Sequence, residues 1–405
     1  MEPLVLAFII ICLLLLLIWP PFIIIILAIL FSLAYLVYRH ALNPPICTWV
    51  FGDDPHREIL LSVRKIGEKS MPSPILEVRA IDAPSHQENY RIEEENSSNF
   101  IHETPYWAMR FKIQNLEAGQ KYKYKIVEQG DGSLLAAGTF QTLPHEFSPF
   151  RVALFGDIQA GDTAAVLESY MFFLVRRVRP SLLVCMGDLV HFYNNPKYWN
   201  VFFQVMRKLV PYTPFYTTPG NHCGGKDLGE TSKNLLLAPQ NRWHYSFSYQ
   251  NTLFLTINSL LWDKQDEAAQ YEWLVSELKK KRHLHTFCVF WAHIPAIGPP
   301  YSKDGRLSPA EEYIQGKIHP LLDQYDVDLA FFGHKHAYIR EGNKIVTASI
   351  HGVRDYEECD GPVYKLQNRH HFCVLEITEK KMIMQARSWF GTVMDEVIIE
   401  KCLSD

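Results

Sequence analysis

Five apolar runs in this chain end abruptly in Asp, Asn or His. They are Arg151-Val-Ala-Leu-Phe-Gly-Asp157-Ile-Gln159, Ser181-Leu-Leu-Val-Cys-Met-Gly-Asp188-Leu-Val-His191, Pro214-Phe-Tyr-Thr-Thr-Pro-Gly-Asn221-His222, Phe287-Cys-Val-Phe-Trp-Ala-His293 and Val327-Asp-Leu-Ala-Phe-Phe-Gly-His334-Lys-His336. An apolar run of this length, stopped by glycine or a polar residue, reads as a buried strand. Open α/β sheets place their chemistry just beyond the carboxyl ends of such strands. One strand ending in Gly-Asp says little, since ordinary strands end that way too. Five in order, delivering carboxylate, amide oxygen and imidazole, supply the ligand types of Zn, Mn and Fe.

The ordered series resembles the metallophosphoesterase (calcineurin-like) superfamily, and most closely its purple-acid-phosphatase-like branch. That family runs Gly-Asp, Gly-Asp-x-x-Tyr or Gly-Asp-x-x-x, Gly-Asn-His-Asp/Glu, a lone His and then Gly-His-x-His. The match covers about Phe150 to His336, and the C-terminal strands fit it too. It implies a four-layer α/β/β/α sandwich, where periodicity alone supports only α/β. It also implies two divalent metal ions (Mn, Zn or Fe). Carried over residue by residue, one metal takes Asp157, Asp188 and His336, and the other takes Asp188, Asn221, His293 and His334, with Asp188 as the bridge. Such a pair clamps the oxygens of a phosphoryl transfer. The resemblance further implies that a metal-bound hydroxide attacks phosphorus and that His222 protonates the leaving oxygen.

Three positions depart from the family. Its first block is often Asp-x-His, but the third place here is Gln159. The tyrosine that binds ferric iron in purple acid phosphatases is replaced by His191, and imidazole favours a divalent metal. His191 is therefore the first candidate for the missing ligand and Gln159 the second, through its amide oxygen or a water. A supporting role for His191 fits equally well. The acidic residue expected after His222 is Cys223, a poor partner for raising imidazole basicity and an improbable nucleophile beside metals.

The amino-terminal stretch constrains location. No charged residue occurs from Leu4 to Tyr38, and Trp19-Pro20-Pro21 divides the run into two apolar lobes, each marginally short for a span. At ~1.5 Å per residue against a ~30 Å hydrocarbon core, the whole run exceeds one crossing. One long kinked span and a helical hairpin both fit, and residues 1–40 are expected to anchor the chain in a membrane. Met1-Glu2 offers no basic region for a cleaved signal peptide. Lys and Arg occur only after the run, beginning at Arg39, which places the remainder in the cytoplasm. Cys185, Cys288 and Cys373 within core strands agree with a reducing compartment. The sequon Asn96-Ser97-Ser98 decides nothing. A net charge of −4 gives no footprint for nucleic acid.

Residues 46–143 read as all-β. Ile59–Ile66, Ile75–Ile81, Trp107–Ile113 and Tyr122–Ile126 alternate as strands, and Asp131-Gly132 is a hairpin turn. Leu116–Tyr122 looks like the tyrosine corner of a fibronectin-III-like sandwich, a domain that purple acid phosphatases carry before their catalytic domain. A short Pro-bearing linker, Thr142–Pro149, leads to the catalytic domain, 150–403. There, Asp162-Thr163 caps a helix whose expected inner face is Leu167, Tyr170, Leu174 and Val178. The strands Trp243–Tyr249 and Leu253–Ser259 turn at Gln250-Asn251. Helices follow from about Asp266 and from Ser308-Pro309.

The expected activity is metal-dependent hydrolysis of a phosphate ester by a membrane-anchored enzyme. Two alternatives accompany it. One is a phosphodiesterase or pyrophosphohydrolase on a lipid-linked substrate. The other is a membrane-tethered binding protein whose site is impaired at Gln159 and Cys223.

Overall fold

The computed structural model describes residues 46–67, 73–81, 91–101, 104–161, 165–223, 229–239, 242–260, 264–299, 306–361 and 364–401. The apolar run Leu4–Tyr38 and the cap Asp162-Thr163 lie outside these. Among the described residues no helix is long and apolar enough to cross a membrane.

The first seven strands are β1 (Ile46–Phe51), β2 (Ile59–Ile66), β3 (Pro74–Ala80), β4 (Arg91–Ile101), β5 (Thr104–Gln114), β6 (Lys121–Glu128) and β7 (Leu134–Gln141). They form two sheets, ordered β1-β2-β5-β4 and β3-β6-β7. Alternation does the work: β6 buries Tyr122, Tyr124 and Ile126 and exposes the lysines between them. The Tyr122 phenol accepts a hydrogen bond from the Glu117 N–H at 2.9 Å, closing the expected tyrosine corner. Because β4 joins β5, the four-plus-three division is that of a constant-type immunoglobulin sandwich. The fibronectin-III expectation therefore holds only as far as the two-sheet sandwich.

Two larger sheets follow. In chain order come β8 (Phe150–Phe155), α1 (Ala165–Arg177), β9 (Leu182–Cys185), α2 (Pro196–Met206), β10 (Phe215–Thr217), α3 (Glu230–Leu235), β11 (Tyr245–Tyr249), β12 (Thr252–Thr256), α4 (Lys264–Lys281) and β13 (Phe287–Trp291). Then come α5 (Pro309–Tyr313), a π-helical turn (Ile314–Ile318), α6 (His319–Gln324), β14 (Leu329–Phe332), β15 (Tyr338–Glu341), β16 (Lys344–Thr347), β17 (Cys359–Asp360), β18 (Tyr364–Gln367), β19 (His371–Ile377), β20 (Lys381–Ser388) and β21 (Val393–Glu400). One sheet is ordered β10-β9-β8-β19-β20-β21 and the other β11-β12-β13-β14-β16-β15-β18-β17.

Apart from exposed Arg151 in β8, the strands that carry the site are buried along their whole length, the mark of sheets covered on both faces. Val152, Leu154 and Val184 of the first sheet share a core with Val289, Trp291 and Phe331 of the second. Outside the second sheet, Leu274 and Leu278 of α4 and Leu321 of α6 pack with Phe290 and Phe332. Outside the first, Phe172 of α1 meets Phe155 and Phe202 of α2 meets Phe215. This is the α/β/β/α order expected. Ser308 and Glu311 form a capping box at the start of α5.

The face of α1 differs from the expectation. Its buried residues are Glu168, Met171, Phe172 and Val175, while Tyr170 is 42% exposed. The sequence offers two apolar stripes about 100° apart on one helix, and contact with Phe155 selects the second.

The small sandwich shares its core with the large sheets, and Pro45–Asp405 forms one compact unit. Buried Arg64 of β2 ties the two parts. Its guanidinium donates to the Leu235 carbonyl and the Thr48 hydroxyl and lies 4.8 Å from the Phe203 ring centroid. Burial pulls its pKa down to about 9. Tyr124 donates to the Pro211 carbonyl at 3.1 Å.

Candidate metal centre

Parallel pairing brings the C-terminal ends of β8, β9 and β10 to one edge of the first sheet. The loops after β8 and β9 are then zipped together: the Gln159 N–H donates to the Asp188 carbonyl at 2.7 Å, and the Ala160 N–H to the Leu189 carbonyl at 3.0 Å. Several residues here hold left-handed backbone although none is glycine. They are Asp157 (φ 52°), Gln159 (40°), Asp188 (52°), His334 (74°) and His336 (50°). Such conformations persist only where surrounding structure over-determines them, and they gather at functional sites. Gly333 has no alternative. A Cβ there falls 2.8 Å from the Asp157 carboxylate, the His293 ring and the Met186 carbonyl alike.

The two carboxylates form the floor. Asp157 and Asp188 are 0% and 1% exposed, and with His293 their ligand atoms lie within 4.8 Å of one another. Asp157 meets His336 Nε2 at 3.2 Å and accepts the His334 N–H at 2.9 Å. Asp188 turns one oxygen to the His222 N–H at 2.8 Å and the other to His293 Nε2 at 3.4 Å. Asn221 Oδ1 lies 2.9 Å from His293 Nε2 and 2.8 Å from His334 Nδ1. His293 Nδ1 donates to the Met186 carbonyl at 2.7 Å, so its Nε2 presents a lone pair inward. Burial, and then the neighbouring His293 and His336, hold His334 well below its usual pKa, which keeps it a neutral donor. Burial also pulls down on His336, but Asp157 and Asp188 outweigh it and its pKa is raised.

Seven of the expected residues thus come together: Asp157, Asp188, Asn221, His293, His334, His336 and Gln159. The Gln159 amide nitrogen lies 3.3 Å from Asp188 Oδ2 and 3.2 Å from His336 Nε2, and a half-turn of the amide puts its oxygen there instead. His191 stands to one side. Its ring stacks on His222 at 5.2 Å, its Nδ1 is buried without a hydrogen-bond partner, and burial lowers its pKa.

The residue donor set fits a cation pair. Two buried carboxylates this close are costly unless positive charge compensates them, and the oxygens and ring nitrogens around them converge from five separate strands. Asn221 is exposed, so the floor opens to solvent.

Cys223 does not stand in for the family's acid. Its thiol is buried, accepts the Leu189 N–H at 3.1 Å, and is pushed by burial to a pKa of about 12. His222 is oriented by another group: its Nδ1 donates to the His191 carbonyl at 2.6 Å. Sequence reasoning missed Glu168 and His351. Buried Glu168 lies 3.5 Å from His351 Nδ1, and the His351 N–H donates to the Asp157 carbonyl at 3.0 Å. Glu168 looks like any acid in a first helical turn, and His351 follows no motif.

Residues 150–338 match the family model described as Calcineurin-like phosphoesterase. Among curated proteins, a purple acid phosphatase of Glycine max is 27% identical over 271 residues, covering 60% of this chain and 53% of its own length. A probable purple acid phosphatase 20 of Arabidopsis thaliana is 26% identical over 243 residues, covering 56% and 54%. The chain spans about half the length of these relatives. Among solved structures, a purple acid phosphatase from seeds of yellow lupin (Lupinus luteus) superposes with a TM-score of 0.71 at 17% identity, covering 88% of this chain and 74% of that one.

Proposed function

We propose that this chain, which is similar to the calcineurin-like phosphoesterase family over residues 150–338 and to purple acid phosphatases, hydrolyses a phosphate ester at a dinuclear metal centre. The carrying observation is the convergence of Asp157, Asp188 and His293 with Asn221, His334 and His336 at the carboxyl edge of parallel strands. Asp157, Asp188, His336 and the Gln159 amide would hold one ion. Asp188, Asn221, His293 and His334 would hold the other. Bound there, two divalent ions neutralise phosphate oxygens and make water nucleophilic near neutral pH.

The chain's own residues do the rest. The His293 ring is fixed by Met186, and Asp188 is fixed by the His222 N–H. With Nδ1 donating to the His191 carbonyl, His222 serves as general acid only as the imidazolium, whose second proton, on Nε2, passes to the leaving oxygen. Glu168, through His351, steadies the backbone carbonyl side of Asp157. We assign membrane anchoring to the uncharged run Leu4–Tyr38, and a cytoplasmic face to the remainder. The six described cysteines, all free thiols, support that side.

The test is metal analysis of the purified full chain together with rates on aryl and alkyl monoesters, a diester and pyrophosphate. Two divalent ions per chain with turnover of one class is the expected result. Full metal occupancy without turnover of any class would support the tethered binding protein instead.

A further inference from the structure

We infer that the face bearing the metal centre docks on a lipid bilayer, and that the phosphoester it takes is carried by a membrane lipid. The inference rests on the phosphoesterase and anchoring readings above. Its first support is where the chain enters the described body. β1 begins at Ile46, opposite Arg64, and Arg64 donates to the Leu235 carbonyl. In the segment leading to Leu235, the Ser232 hydroxyl donates to the carbonyl of Cys223, next to His222. The other end of β1 lies away from the site: Phe51 and Phe150 both pack on Tyr249, and Phe150 opens β8, whose far end leads to Asp157. The chain therefore arrives at the edge of the fold that carries the metal centre.

The second support is reach. Residues 39–45 separate the uncharged run from Ile46. Fully extended they span at most about 25 Å. For a run embedded in a bilayer, that length limits how far Ile46 can stand from it.

The third support is what the edge exposes. Phe192, 51% exposed, follows β9 and lies 6.4 Å from the His222 ring. On the other side of the site, the turn after β20 carries Trp389 and Phe390, 39% and 70% exposed, with ring centroids 4.7 Å apart. This turn belongs to the same edge, because His371 at the start of β19 pairs with Ser388, and β19 runs antiparallel to β8. Two strand spacings, about 10 Å, separate the strand of Asp157 from that of Trp389. Single exposed apolar residues need no explanation. Aromatic rings on both flanks of one site, on the edge where an apolar run enters, suit the bilayer interface, where Trp and Phe partition with their faces in the acyl boundary.

For a lipid phosphomonoester the reaction balances as ordinary hydrolysis. The oxygen of water joins phosphorus, the ester P–O bond breaks, the lipid oxygen leaves with a proton, and inorganic phosphate departs.

The experiment uses the full chain in phosphatidylcholine nanodiscs doped with phosphatidic acid. Trp389 is read by its quenching with brominated lipids, as the difference between wild type and Trp389→Phe. Hydrolysis is read on embedded phosphatidic acid and on soluble p-nitrophenyl phosphate. The expected result is quenching of Trp389. The Trp389→Ala/Phe390→Ala double variant should keep the soluble rate and fall on the order of tenfold on the embedded lipid. Absence of quenching, or equal rates of variant and wild type on the lipid, overturns the docking. Quenching in a protein that hydrolyses neither substrate supports the docking and counts against the phosphoesterase reading alone.

Discussion

The small sandwich and the edge of the first large sheet use strands for opposite ends. In β6, Tyr122, Tyr124 and Ile126 go inward and Lys121, Lys123 and Lys125 go outward, so each residue sits where its solvation is cheapest. At the ends of β8, β9 and β14 the pattern inverts. Apolar strands deliver Asp157 and Asp188 into burial, and the chain turns through left-handed backbone at residues with side chains. The sandwich is built for stability, whereas the sheet edge sacrifices stability to hold charge in a fixed geometry.

The largest effect is expected at Asp188. Asp188→Asn should abolish hydrolysis and empty the centre, by more than the ~10–100-fold that follows loss of a ligand's supporting partner. Because it removes one of two buried carboxylates, the same variant should be no less stable than wild type in chelator. Metal analysis and thermal melting read both outcomes. A variant that keeps its metals and rate, or melts markedly lower in chelator, breaks the division.

The mirror experiment is in the sandwich. Trp107 in β5 is 1% exposed, and Trp107→Ala should cost about 3–5 kcal/mol of stability. The value of kcat/KM per folded molecule should stay unchanged. Denaturant titration and rates corrected for folded fraction decide it, and a fall in kcat/KM would mean that the sandwich shapes the site.

Acid should find the large sheets first. Burial lowers the pKa of His319 in α6 from 6.5 to about 4, and its Nε2 is buried without a hydrogen-bond partner. Above the unfolded pKa both states are neutral, and His319 contributes no pH dependence. Below it the unfolded chain takes up a proton that the fold refuses, so stability drops until pH nears 4, by about 3 kcal/mol in all. Replacing the residue, as His319→Phe, should flatten the dependence of the urea midpoint on pH across that window. An unchanged slope would assign the acid sensitivity elsewhere.

Much of this division was legible in the sequence. β2 and the five ligand-bearing strands could be read because an apolar run ended by a turn or a ligand is a local signal. The Tyr122 corner was likewise legible from Leu116–Tyr122. What escaped depended on contacts distant in sequence. The inner face of α1 is chosen by Phe155, and Glu168 matters only because His351 folds against it. The edge strand β4 carries Glu93, Glu94 and Glu95, a composition without alternation that pairs all the same with β5. A place in the family's tyrosine slot put His191 ahead of Gln159 as the missing ligand. In the fold, Gln159 contacts Asp188 and His336, whereas His191 lies against His222.

The smallest expected effect is at Cys223, where sequence alone suggests a large one. Read against the family, the missing acid should weaken His222 as a proton donor, and Cys223→Asp should favour esters with strongly basic alkoxide leaving groups. The fold argues otherwise. The thiol points to the Leu189 N–H, and the imidazole is already oriented by the His191 carbonyl. A carboxylate at 223 would be buried beside Asp188, whose charge already raises the thiol pKa after burial does, so it would stay protonated and leave His222 untouched. General acid assistance is worth ~10²–10⁴-fold, far above assay error. The expectation is that the ratio of kcat/KM for an alkyl and an aryl phosphate is the same in Cys223→Asp and wild type, while the melting temperature of the variant falls. A rise in that ratio towards alkyl esters would restore the acid–imidazole pairing and remove the His191 carbonyl from its role. Cys223→Ser keeps a small acceptor for Leu189 without a charge. It should match wild type in the ratio and melt above the aspartate variant, which separates the cost of the buried acid from the loss of the thiol.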